Sequence, residues 1–145
     1  MSLKVIYVVM GLGLFANGVY MFVASESWYH LKILGVEDTG PMNIHFIRDL
    51  GVVYAIVGFG LLWSSVNLAR CQIVHIGVTM FLLGHALEHV LEILMGDLPH
   101  SHWYIDAGGV FVPAALFTVL ALPPVWARVN PQAAKAGESP DSSSE

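Results

Sequence analysis

The segment IVHIGVTMFLLGHALEHVLEILM, running from Ile73 to Met95, decides the fold. It is apolar along most of its length, yet it carries His75, His85, Glu88, His89 and Glu92. Its length suits the roughly 20 residues that carry a helix across a bilayer. The run is continuously apolar rather than alternating, which argues against a β-barrel strand. In lipid every backbone amide needs an internal partner, and a helix supplies one. Three more stretches have the same character: about Leu3 to Ala24, Ile44 to Val66, and Ala107 to Ala127. The pattern predicts an all-α integral membrane four-helix bundle over residues 1–129, with spans at about 3–24, 44–66, 73–95 and 107–127. Residues 130–145, rich in Ala, Ser, Pro and Gly, read as a disordered cytoplasmic tail.

Composition supports lipid as the solvent. The 145 residues are 56% hydrophobic and 12% charged, with a mean hydropathy of +0.67. A soluble domain carries about 25% charged residues, so too few are present to coat a water-facing surface. The net charge of −5 and the lack of any Lys/Arg run exclude nucleic acid as a partner. The single cysteine, Cys71, cannot form an internal disulfide. The first apolar stretch is longer than the roughly 7–15 residues of a signal-peptide core and reads as a span.

Orientation follows from the basic residues. Lys4, Arg70, Arg128 and Lys135 lie at the N-terminus, in the second loop and in the tail. The first loop has Lys32, and the third has neither Lys nor Arg. The positive-inside rule places both termini in the cytoplasm of a multi-pass protein. Trp28, Tyr29, Trp103 and Tyr104 fall at the outer aromatic belt, and Trp63 and Trp126 at the inner one. Glycines in all four stretches read as helix-packing positions. Pro113 should kink the fourth helix, and Pro123-Pro124 should kink or end it.

The polar residues concentrate at one depth. His45 and Asp49 are four apart near the start of the second span, with Arg48 beside them. His85, His89 and Glu92 make one stripe near the end of the third, with Glu88 on the same side. The second span runs inwards and the third outwards, so both clusters belong to the outer part of the bundle. His100, His102 and Asp106 cap that end. Intramembrane charge is costly, about 2.5–3.5 kcal/mol per residue at a helix centre, so such residues default to function. His30 and His75 lack acidic neighbours in sequence and read as structural, and Asn17 reads as an interhelical hydrogen bond.

The spacing His85-x-x-Glu88-His89 matches a zinc signature in which imidazoles one turn apart clasp an ion. The candidate ligands of a divalent transition metal (Zn, Fe or Cu) are His45, Asp49, His85, His89, Glu92, His100 and His102. In a catalytic version Glu88 is general base on a metal-bound water and Arg48 stabilises developing negative charge. Asp49 or Asp106 would orient a ligand imidazole. Other readings compete with a metal site. Haem b could sit between His45 and His85 or His89 in an electron carrier. The chain could be a non-enzymatic accessory subunit or ion-binding protein, as a homo-oligomer or in a membrane complex. The cluster could also be a purely ion-paired structural network.

The block His45-Phe46-x-Arg48-Asp49-x-Gly51, opening a helix of a four-span chain, resembles uncharacterised small bacterial four-helix membrane proteins with an HF-x-RD-x-G block. The resemblance implies the four-helix fold and the bacterial inner membrane as the location. It implies no activity.

Overall fold

A computed structural model describes residues 2–133, and every regular element among them is helical. The first long helix, α1 (Leu3–Val23), is capped by Ser2, whose hydroxyl accepts from the Val5 amide. A short helix α2 (Ser25–Tyr29) follows, then a turn of 3₁₀ helix over Val36–Thr39. Asn43 caps α3 (Ile44–Ser65) by accepting from the Phe46 amide at 3.1 Å. The third long helix, α4 (Gln72–Met95), ends at Gly96 in the left-handed conformation, φ 85°, which closes its last carbonyls. The rest of the chain is α5 (His102–Ile105), a π-helical turn over Ala107–Phe111, α6 (Val112–Ala121) and α7 (Pro123–Val129).

Three helices, α1, α3 and α4, are long and apolar enough to cross a membrane. They also leave large apolar side chains uncovered, such as Val9, Ile56, Ile73 and Met80. The fourth apolar stretch differs from the continuous helix expected over 107–127. Its straight part ends at Ala121, and α7 leaves at 87°. The cause is chemical: Pro123 and Pro124 donate no backbone N–H, and Leu122 before them is forced extended (φ −63°, ψ 129°). Pro113 acts more mildly. The chain before it widens into the π turn, where the Asp106 carbonyl accepts from both Val110 and Phe111.

The tightest packing joins α1 to α3. A Cβ built on Gly18 would lie 2.4 Å from the Gly51 carbonyl, and one on Gly58 would lie 2.7 Å from that of Gly11. The two backbones therefore touch antiparallel at two levels, which only glycine permits. The apolar core continues through Tyr7 and Leu14 of α1, Val78 and Leu82 of α4, and Phe117 and Leu120 of α6. The Trp126 side chain of α7 closes it from below, and Asn130 ties this end down by donating to the Leu68 carbonyl at 2.7 Å. Of the expected tail, residues 134–145 lie outside the described residues.

Candidate metal centre

The far end of α4 carries His85 and His89 one turn apart, their rings edge to face with centroids at 4.7 Å. After Gly96 the chain folds back over this end. Leu98 is buried, and His102 donates its amide to the Pro99 carbonyl to start a helical turn. Within that turn His102 and Asp106 are four residues apart and share a face. Their side chains meet, Nδ1 to Oδ2, at 2.9 Å. The same Asp106 oxygen lies 2.8 Å from His89 Nδ1. One carboxylate oxygen thus joins an imidazole of α4 to one of α5.

A fourth side chain comes from the loop between α2 and α3. Asp38 Oδ2 lies 3.2 Å from His102 Nε2. Gly35 makes this approach possible. It adopts the left-handed conformation, φ 61°, and a Cβ on it would sit 2.8 Å from His102 Cε1. His102 is wholly enclosed and Asp106 nearly so, while His89 and Asp38 are more open. Burial opposes a charge on His102, but the hydrogen bonds to Asp106 and Asp38 outweigh it and raise its pKa above the ordinary value. Both ring nitrogens face carboxylates, so each can donate a hydrogen bond when the ring is protonated.

Among the described residues, His89, His102 and Asp106 are the group of ligand-type side chains whose donor atoms all lie within 4.8 Å of one another. Of the residues singled out by sequence, the structure brings His89 and His102 together with Asp106 and sets His85 beside them. His85 Nε2 is 3.0 Å from the Tyr54 hydroxyl on α3. The others stand apart from this group. His45 and Asp49 pair with each other at 3.3 Å on an open face of α3, with side chains 89% and 67% exposed. Arg48, Glu88 and His100 are exposed and Glu92 is half-buried. On α4, His85 and His89 stand one turn apart while Glu92 does not join them, and His89 meets the loop before α6 rather than the start of α3.

Two participants, Asp38 and Tyr54, were not singled out by sequence. Asp38 sits in the single 3₁₀ turn over Val36–Thr39, too short to show periodicity in sequence, and only tertiary folding brings it to His102. Tyr54 lies within the apolar helix α3, and nothing in its sequence surroundings points to His85. His75 was set aside as structural, and the structure gives it a closed aromatic environment. His30, expected to lack acidic company, meets Glu37 at 2.5 Å through the loop, where Lys32 also binds the same carboxylate. These bonds hold the Glu37 carboxyl below its ordinary pKa. Asn17 accepts from the Trp28 indole at 3.0 Å and so anchors α2 to α1.

No family model, curated protein or solved structure matches this chain.

Proposed function

We propose that the chain is a multi-pass membrane protein, with both termini cytoplasmic, that holds a divalent transition metal at His89, His102 and Asp106. The observation that carries the reading is the convergence of those three side chains from α4, α5 and the turn before α6, with donor atoms within 4.8 Å. The observed N···O separations of 2.8 and 2.9 Å are close to the edge of a tetrahedral site, about 3.3 Å for ligand bonds near 2.0–2.1 Å. Small rotations would admit the ion. Two imidazoles and a carboxylate are the donor set of several catalytic zinc and non-haem iron sites, and they leave at least one position open. Asp38, on the outer side of His102, would steady that ring from beyond the metal. Metal uptake would release the imidazolium proton of His102.

Haem is the weaker reading. His89 and His102 bind one and the same oxygen, and His85 abuts His89. That leaves no slab of space for a porphyrin between two axial imidazoles. A role for Glu88 as general base has no support from its exposed position.

Metal content of the purified protein tests the proposal. About one equivalent of zinc, iron or copper is expected, and His89→Ala, His102→Ala and Asp106→Asn should each lose most of it. His45→Ala and Asp49→Asn should retain it. A metal-free wild type that also takes up none on dialysis against these ions would sink the metal reading. The His–Asp–His group would then be a hydrogen-bonded brace between α4 and the outer loop.

A further inference from the structure

Two opposite charges on the long helices stand without a counter-charge. Arg48 of α3 and Glu88 of α4 are exposed, and Glu92, one turn beyond Glu88, is half-buried. Among the described residues none of the three takes part in an ion pair, and Asp49, next to Arg48 in sequence, is paired with His45 at 3.3 Å. A charge left bare on a lipid-facing helix is costly and calls for a partner. The two charges do not face each other within one molecule. The Tyr54 hydroxyl of α3 lies 3.0 Å from His85 of α4, which marks the sides on which these helices meet. At 3.6 residues per turn, Arg48 lies about 120° round α3 from Tyr54, and Glu88 about 60° round α4 from His85.

The same contact fixes their relative depth. Arg48 is six residues from Tyr54, and Glu88 three residues from His85, both towards the end that carries His89. At 1.5 Å per residue these are about 9 and 4.5 Å, so the two charges stand within one helical turn of a common level. Their surroundings also complement each other. One turn from Arg48, Val52 lines an apolar cleft of about 420 Å³ between α1 and α3, with Phe15, Val19 and Ile56. On α4 the side opposite the buried Val78, Leu82 and Ala86 carries Gly84 and Glu88, with Met80 and Leu87 exposed beside them. Nothing lies within 4 Å of a Cβ built on Gly84, so another helix can approach closely there. Leu87 and Val52 are each two residues from the Tyr54–His85 contact, and so stand level.

We propose that the chain associates with copies of itself, head to tail. The α1–α3 cleft of one copy receives Leu87 of the next, and Arg48 pairs with Glu88 across the contact. Charge complementarity selects this occupant. A phosphate headgroup would meet Arg48 and leave Glu88 bare, whereas an identical neighbour satisfies both. A bilayer holds every copy in the same sense, so the neighbour presents Glu88 at the depth of Arg48. Head-to-tail contacts between upright copies close into a ring. The interface rests on the membrane-spanning reading and is independent of the metal.

The test is light scattering on the full-length protein in mild detergent, with co-purification of two differently tagged copies. The wild type should have the mass of two or more chains, and its tags should co-purify. Arg48→Glu and Glu88→Arg should each weaken self-association roughly tenfold or more. Mixed together, the two variants should associate again, because each supplies the charge that the other lacks. Recovery on mixing can arise only between chains, so it excludes a repair within one fold. Gly84→Leu should weaken association with no change of charge. A monomeric wild type, undiminished association in both charge variants, or no recovery on mixing each overturns the proposal. A monomer that instead carries phospholipid lost in Arg48→Glu would give the cleft to lipid and likewise overturn it. Failure of the membrane reading shows differently, as a protein that stays in solution once detergent is removed, and it too overturns the interface.

Discussion

The His89–His102–Asp106 group depends on a residue with no side chain. Gly35 lies in the left-handed region, and any Cβ there would collide with the His102 ring. Gly35→Ala therefore carries two penalties. The conformation itself costs about 1–2 kcal/mol for a residue with a Cβ, and His102 must move off Asp38. The expected outcome is a lower thermal midpoint together with reduced metal content, although position 35 offers no ligand. Metal retained at the wild-type level would show that His102 tolerates the shift. Sequence alone made part of this centre legible. His85 and His89 stand four apart and were visible as a helical face, whereas His102 and Asp106 were read only as polar residues capping the same end. That His89 shares an oxygen with His102 was not legible, because the turn after Gly96 sets it and spacing along the chain does not encode it.

Among the elements, the α1–α3 pair is the most exacting contact. Gly18 and Gly58 face backbone atoms of the neighbouring helix at 2.4 Å from a built Cβ. A side chain at either position must push the helices apart. Gly58→Ile should lower stability by about 1–3 kcal/mol or more, the usual range for overpacking. Gly13→Ile should change it little, since nothing lies within 4 Å of a Cβ at Gly13. Unfolding in mild detergent, followed by circular dichroism, compares the two. Here the limit of sequence reading is plain. Gly77 and Gly84 repeat the seven-residue spacing of Gly11 and Gly18, yet a Cβ on either meets nothing. Glycine spacing marks a face that can be approached, and the fold chooses which face is used. The prolines were more informative. Pro123-Pro124 was expected to kink or end the last helix, and the chain turns by 87° there.

For the whole molecule, the proposed topology makes a direct prediction. Reporter fusions at Arg70 and after Arg128 should read cytoplasmic, and one at Gly96 should read external. The reverse pattern would invert the bundle and place the His89–His102 centre on the cytoplasmic side. The composition made the membrane reading accessible from the outset, and the uncovered apolar side chains of Ile73 and Leu94 are compatible with it. The length of the last apolar helix was harder to read, since hydropathy does not register a bend. The π turn of five residues and α6 of ten reach at most about 22 Å at 1.5 Å per residue. A bilayer's hydrocarbon core is about 30 Å thick. On the proposed topology the α6 side of the protein is therefore too short for its surroundings, while α1, α3 and α4 are not. In that arrangement lipid tails next to α6 would have to compress, with α7 along the inner surface covering the gap. Such a lopsided mismatch would give the protein a preference for short-chain lipids and a tendency to gather where the membrane is already thin.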